Sequence, residues 1–174
     1  AGLGAWISTN VDKASDGTDP TAVDGTDARN DGTPRLFTET MLKNVMQKAY
    51  TAGGNPWILM VGPYNKTVVS TFAGIAAQRF QAPSDGPTTI IGAADVYMSD
   101  FGSLTVVPNR FSRERDAWCL DPEYASIATL RPIQAVDLAK TGDADKKMLI
   151  SESGVLMKNE AAHGLIADLT IAAA

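Results

Sequence analysis

Hydrophobic and polar positions divide the chain into a polar start, a helical middle and a strand-rich second half. Residues 12–34, DKASDGTDPTAVDGTDARNDGTP, hold few large apolar side chains and three Asp-Gly pairs, which are typical of successive turns. Such a composition predicts a long surface segment that is too polar to enter a core. Because the segment lacks apolar anchors, we expect it to be mobile and the first part of the chain that a protease cuts.

The middle of the chain predicts a helix, a buried strand and a second helix. Thr38 is suited to an N-cap, Gly53-Gly54 to a helix end, and apolar side chains recur between them at helical spacing: Met41, Leu42, Val45, Met46 and Ala49. The continuous apolar run PWILMV (56–61) predicts a buried strand. Pro63 is placed to begin a helix that directs three apolar side chains toward the same core: Val68, Val69 and Phe72.

From residue 87 onward the pattern is that of strands separated by turn residues. The predicted strands are TTII (88–91), ADVYMS (94–99), SLTVVP (103–108), AWCL (117–120), ASIATL (125–130) and KKMLISESGVLMK (146–158). Helices first and strands later predict an α+β fold rather than a regular alternation of strand and helix.

The tripeptide Asp100-Phe101-Gly102 lies between two of these runs and predicts the turn of a β-hairpin. Gly102 can adopt a positive φ, and Pro108 has no N–H with which to extend the pairing. Alternation along the two strands predicts one buried face formed by Val96, Met98, Leu104 and Val106.

Charge and composition exclude several classes of function. The net charge is −5, from 15 basic and 20 acidic residues, which argues against a groove built to bind nucleic acid phosphates. No apolar run approaches the roughly 20 residues that a membrane-spanning helix needs. The single cysteine, Cys119, has no internal disulfide partner and is expected to be a small buried residue.

Few residues offer catalytic or metal-binding chemistry. A hydrolase could use the one histidine, His163, with Asp168 and a serine, but G-x-S-x-G is absent and a lone histidine beside a turn is usually structural. The best calcium-loop match begins at Asp27, yet it places Arg29 third and Thr38 twelfth, where an acid is needed. There is no cluster of Cys and His and no phosphate-binding glycine loop. The sequence therefore predicts no catalytic residue, no metal ligand and no cofactor.

The charged run RFSRERDA (110–117) has two interpretations. Alternating signs are typical of a solvated loop. Alternatively, Arg110, Arg113 and Arg115 form a salt-bridge patch with carboxylates of a neighbouring subunit. The sequence by itself does not choose between them.

Several stretches, taken in order, resemble the major capsid protein of tailed bacteriophages, in a group found in phages and prophages. They are GLGAWISTNV (2–11), AGGNPWILMVGPYNK (52–66), SDFGSLTVVPNRF (99–111), LDPEYASIATLRP (120–132) and LAKTGDADKKMLISESGVLMKNEAAHGLIADL (138–169). The resemblance implies the tailed-phage capsid fold, in which an axial domain of helices around a small sheet points to the capsomer centre. A strand-rich peripheral domain completes that fold.

On this resemblance the chain divides into a polar Asp/Gly-rich excursion (1–35), an axial helix–strand–helix core (36–90) and a strand-rich part that returns to the peripheral domain (91–174). Members of the family carry an N-terminal arm, an extended loop and a spine helix before the GLGAW segment. The chain is thus expected to be the C-terminal part of a subunit, one that folds without building shells by itself.

The function implied is self-association into the icosahedral shell that encloses the genome. Its partners would be copies of itself and other phage head proteins, with no specific nucleic acid and no membrane. The location would be the virion, and the host bacterial cytoplasm during assembly. Two alternatives remain: a calcium- or carbohydrate-binding module based on the Asp-Gly segment, and a small hydrolase based on His163.

Overall fold

The computed structural model describes residues 2–22, 24–72, 95–140 and 142–172. They form two compact units. The first contains Ala1–Asp121 and Asn159–Ala174, and the second contains Pro122–Lys158. The predicted strand TTII (88–91) lies outside the described residues. No helix in the described ranges is long and apolar enough to cross a membrane.

A mixed six-stranded sheet organises the first unit. Its strands are β1 (Val11–Asp12), β2 (Ile58–Val61), β3 (Val96–Ser99), β4 (Gly102–Pro108), β5 (Ala117–Leu120) and β8 (Gly164–Ile166). Their order is β1-β8-β5-β2-β4-β3, with β1–β8 and β2–β4 parallel and the other neighbours antiparallel. This order places the start of the chain beside its end, because β1 pairs with β8.

Helix α1 (Glu39–Thr51) confirms the prediction from the apolar stripe. The Thr38 side chain accepts a hydrogen bond from the Met41 N–H, and Gly53 follows the helix with φ of +86°. The buried face consists of Leu42, Val45, Met46 and Ala49. A Cβ on Gly164 would lie 2.3 Å from Val45 Cγ1, so only glycine allows α1 to pack this closely on β8.

Helix α2 (Pro63–Val69) begins at Pro63, as predicted, directly after β2. Val69 and Phe72 are buried in the same core as α1, and Val68 packs against it. Phe72 meets Phe37 edge to face at a centroid distance of 5.3 Å and Tyr97 at 6.4 Å. The two helices of the predicted pattern thus form one layer on the sheet, and the strand between them, β2, is part of that sheet.

The β3–β4 hairpin has the predicted turn but not the predicted face. Asp100 and Phe101 link the strands, and Gly102 has φ of +139°. Leu104 and Val106 are buried as expected, whereas Val96 and Met98 are exposed, so that part of the prediction is wrong. Tyr97 lies opposite Leu104, and directly opposed residues share a face. Its phenol can be buried because the hydroxyl donates to Glu39 Oε1 at 2.9 Å.

The second unit is a long antiparallel hairpin. Its strands are β6 (Ala125–Asp137), which extends the strand predicted over 125–130, and β7 (Lys147–Met157), which lies within the strand predicted over 146–158. The pairing shifts register twice, between Thr129 and Arg131 and again between Arg131 and Gln134. Both shifts place an extra residue in β6, while β7 remains regular.

Candidate functional site

Asp168, two residues after β8, is the centre of a polar site in the first unit. Its backbone has φ of 60°, in the left-handed region that Asp tolerates better than most residues. The buried carboxylate accepts N–H groups from Ala14 (3.0 Å) and Gly32 (2.8 Å), and the Arg29 guanidinium at 3.3 Å. Burial alone would raise the pKa of Asp168, but these hydrogen bonds and the arginine outweigh it and hold the pKa below its ordinary value.

Arg29 fixes the Asp/Gly-rich segment against Asp168. Its side chain is buried between Asp168 and Asp19 and forms an ion pair with each. Gly17 packs so closely that a Cβ there would lie 2.7 Å from Asp168 Oδ2. The expectation that residues 12–34 are too polar to enter the interior is therefore wrong at these positions, because paired charges and backbone hydrogen bonds anchor them where apolar contacts are lacking.

The arginine run contributes to the same site. Arg113 and Arg115 both pair with Asp31, and Arg115 Nη2 also donates to the Gly32 carbonyl at 2.6 Å. Arg113 Nη1 lies 3.7 Å from Asp116 Oδ2. We call this set the Asp–Arg network; its members are Asp19, Arg29, Asp31, Arg113, Arg115, Asp116 and Asp168.

Arg110 differs from the other two arginines of the run. Its side chain is exposed, and in the part of the chain that the structure describes it makes no ion pair. The neighbouring Phe111 is 91% exposed. The sequence offered no local signal for the partners of Arg113 and Arg115, because Asp31 lies 82 and 84 residues away along the chain.

Asp116 is the member of the network whose charge is least well compensated. Among the described residues no hydrogen bond reaches its Oδ1, which is buried. Burial raises the pKa of Asp116 to about 6; Arg113 and Arg29 oppose the rise, while Asp31 and Asp168 add to it. The residue also lines an open cavity of about 450 Å³, together with Arg29, Met60, Phe111 and Trp118.

Replacing Asp116 with asparagine should stabilise the protein at neutral pH. A raised pKa means that the stability from Asp116 is fully present below about pH 3.8 and is lost as the pH rises through about 6. An asparagine side chain does not titrate, so we expect Asp116→Asn to raise the free energy of unfolding by up to about 3 kcal/mol at pH 7.5 and not at pH 4. Urea unfolding at the two pH values measures this. The exposed Asp143→Asn is the control, and an equal gain at both pH values would contradict the prediction.

The contacts of His163 are those of a residue with a structural role. It is buried after a short 3-10 turn, where it enters β8, and its Nδ1 accepts the Asp121 N–H at 3.1 Å. Its carbonyl accepts from Asn10 Nδ2 at 3.0 Å. Asp168 directs its carboxylate at Ala14, Gly32 and Arg29, so the two residues of the suggested triad serve different contacts. Nearby Cys119 is buried as predicted, and burial raises the pKa of its thiol to about 12.

In the Asp/Gly-rich segment, on which the calcium-binding alternative rested, aspartates accept hydrogen bonds from nearby residues of the same segment. Asp27 accepts the Thr21 N–H at 2.9 Å, and Asp24 accepts both the N–H and the hydroxyl of Thr26. Within the described ranges, no three or more His, Cys, Asp or Glu side chains are grouped so as to hold a metal ion. The calcium-binding alternative is not favoured.

The comparison with family models identifies one family. A family model described as SU10 major capsid protein matches residues 1–170. No curated protein matches. Among solved structures, the chain is similar to one described as the crystal structure of a virus-like particle from Pyrococcus furiosus, with 13% identity and a TM-score of 0.42. The match covers 77% of this chain and 55% of that one, so this chain spans about half the length of that one.

Proposed function

The chain belongs to the SU10 major capsid protein family, and we propose on this premise that it provides the folded core of a shell subunit in a phage or prophage head. The family match over residues 1–170 carries the proposal. It confirms the resemblance drawn from the sequence, and it implies a structural role in the virion rather than an enzymatic one. Self-association into the shell, contact with other head proteins and assembly in the host bacterial cytoplasm are further parts of the proposal.

We assign the helix–strand–helix core to an axial domain at the capsomer centre. Supporting this assignment is the packing of α1 and α2 on one sheet, since a rigid layered body suits a position where several copies converge. The sequence boundaries of 36–90 for the axial core and 91–174 for the strand-rich part remain proposals. The long β6–β7 hairpin is the element best suited to a peripheral domain, because its strands pair with each other alone in the described chain.

The Asp–Arg network would hold the Asp/Gly-rich segment in a fixed shape on the subunit. Buried ion pairs specify one arrangement of a polar segment more than they add stability. Arg110, Arg113 and Arg115 remain candidates for contact with a neighbouring subunit. Of the three, Arg110 is the best placed, because Arg113 and Arg115 already pair within the chain and Arg110 stands exposed beside Phe111.

The test is electron microscopy of particles made by the complete reading frame that encodes this sequence. Each shell subunit should contain density for the six-stranded sheet with α1 and α2 on it, and α1 should lie nearer the capsomer centre than the β6–β7 hairpin. A reading frame from which the codons for residues 1–170 are deleted should make no shells. Particles whose shell lacks these residues by mass spectrometry would reject the function, and an inverted orientation would reject only the axial assignment.

A further inference from the structure

The open cavity of about 450 Å³ lies on the face of the sheet opposite α1 and α2. Leu59 and Cys119 belong to the core that the helices cover, so their strand neighbours Met60 and Trp118, which pair directly, lie on the other face. Met60 and Trp118 both line the cavity, and a short 3-10 turn at Leu3–Ala5 forms another wall. The volume is within the range of about 300–1,000 Å³ that is typical of small-molecule sites.

Three side chains that line the cavity each carry a buried polar atom without a hydrogen bond to any described residue. These atoms are Asp116 Oδ1, Ser112 Oγ and Arg29 Nε. A buried polar atom without a partner is destabilising, and most such atoms in folded proteins are paired. Three of them around one cavity therefore indicate that the cavity takes a ligand with polar atoms of its own.

The chemistry of the three atoms defines what the ligand must offer. An ionised Asp116 can only accept a hydrogen bond at Oδ1, Arg29 can only donate at Nε, and the Ser112 hydroxyl can do either. The other oxygen of Asp116 lies 3.7 Å from Arg113 Nη1, so Oδ1 is the one left over. Asp116 and Arg29 are neighbours, because the Arg29 charge lowers the pKa of Asp116 against the effect of burial. The ligand must therefore both donate and accept.

The charges around the cavity favour an uncharged ligand. Both signs line it, since Arg29 and Arg113 are cationic and Asp116 is anionic at neutral pH. An anion would be repelled by Asp116, and a cation would be repelled by the two arginines. A carboxamide carries N–H donors and a carbonyl acceptor on neighbouring atoms without a net charge. It is the simple group that matches both requirements.

The remaining walls of the cavity are apolar and held in place. Trp118, Met60 and Phe111 contribute two aromatic rings and a thioether. Asn109 fixes the loop that carries Phe111 and Ser112: its Oδ1 accepts the Phe111 N–H at 2.9 Å, its carbonyl accepts the Ser112 N–H at 3.2 Å, and its Nδ2 donates to Met60 Sδ at 3.2 Å. These walls suit an apolar body attached to the polar group.

We propose that this cavity is a binding site for a small uncharged ligand that carries a carboxamide on an apolar body. The amide nitrogen donates to Asp116 Oδ1, the amide oxygen accepts from Arg29 Nε, and the apolar body lies against Trp118 and Met60. The Ser112 hydroxyl pairs with either end of the amide. The site goes beyond the proposed shell function and does not depend on it.

Four probes with the same ring test the chemistry by amide NMR of the isotope-labelled 174-residue chain at pH 7.5. Benzamide offers donor and acceptor, acetophenone an acceptor only, benzamidinium a positive charge and benzoate a negative charge. Benzamide should bind saturably and about fivefold or more tightly than each of the others, since each of them lacks a hydrogen bond or meets a like charge. The signals that shift should include the amides of Ser112 and Asp116 and the indole N–H of Trp118.

Substitutions test the assigned atoms. Asp116→Leu removes the acceptor and should weaken benzamide about tenfold or more, but acetophenone, which has no N–H to donate, by no more than about threefold. Asp143→Leu, at an exposed position of the other unit, is the matched control and should change neither affinity. Ser112→Ala removes a single hydroxyl and tests the site even if Asp116→Leu does not fold. It should weaken benzamide about threefold, and Ser103→Ala on the exposed side of β4 should not.

Four results would overturn the proposal. If benzamide does not bind, water alone pairs with the three atoms; if all four probes bind equally, only the apolar walls bind a ligand. Tighter binding of either charged probe would contradict the assignment of an uncharged ligand. Benzamide binding that Asp116→Leu and Ser112→Ala leave unchanged would place the ligand elsewhere. None of these results bears on the capsid function, which particles from the complete reading frame test separately.

Discussion

Asp168→Ala should lower the free energy of unfolding by about 3–5 kcal/mol, the range for breaking a buried ion pair from one side. The change removes the acceptor of the Ala14 and Gly32 N–H groups and one of the two carboxylates that compensate the buried Arg29. It also places alanine at φ of 60°, where an L side chain other than Asn or Asp is strained. Urea unfolding at pH 7 measures the loss.

Asp168→Asn tests the loss of the carboxylate charge separately from strain in the backbone. Asn tolerates the left-handed conformation but carries no charge. Asp168→Asn should therefore lower the free energy of unfolding by less than Asp168→Ala does. Since the pKa of Asp168 is lowered in the folded protein, its contribution is present above about pH 3.8 and is lost as the pH falls through the folded value. The deficit of both variants should therefore shrink in acid, and a constant deficit would contradict the ionic account.

The Asp168→Ala variant also tests whether the network keeps the Asp/Gly-rich segment ordered. Composition alone predicted that a protease would cut this segment first. Because the Arg29 side chain is buried in two ion pairs, we now expect trypsin to cut the parent slowly at Arg29 and to cut Asp168→Ala there first. Asp24→Ala removes a carboxylate that only closes its own turn and is the matched control. Rapid cleavage at Arg29 in the parent would mean that the network does not hold the segment in solution.

Val106→Asp should cost several kcal/mol, enough to unfold a protein of ordinary stability. Val106 is buried in the core on β4, the strand between β2 and β3, and lies opposite Leu59 in the parallel pair. A carboxylate among these apolar core side chains either stays charged at great cost or takes up a proton. Thermal unfolding monitored by circular dichroism measures the effect.

Thr105→Asp is the control for that prediction. Thr105 is the adjacent residue of β4, and its side chain is exposed on the opposite face of the sheet. Its replacement should cost less than about 1 kcal/mol. Similar losses from the two variants would indicate that burial in β4 is not confined to one face.

Local patterns were sufficient for the elements whose signals lie within a few residues. The cap at Thr38, the stripe of α1, the start of α2 at Pro63 and the turn before Gly102 all follow from backbone sterics and periodicity. These features depend on neighbours in sequence, which is why the pattern alone predicted them. The α+β class followed from the order of the same elements.

The β3–β4 hairpin shows that local pattern alone does not predict which face of a strand is buried. Alternation in β3 is compatible with burying Val96 and Met98 or with burying Tyr97, and the apolar choice was wrong. Tyr97 can be buried because its hydroxyl donates a hydrogen bond to Glu39, 58 residues away, and this satisfies the phenol. Such a partner is visible only once α1 is packed on the sheet.

The sequence by itself determined the set of local elements. Ordered stretches such as those around 99–111 and 138–169 also indicated the capsid family, which the family model confirms. What only the tertiary structure decided was the use of the charged residues. The pattern of Asp, Gly and Arg indicated solvated loops, yet folding brings Arg29, Asp168 and the 110–116 run together over separations of up to 139 residues. The physical reason is that an ion pair depends on distance in space, and β1 beside β8 joins the two ends of the chain.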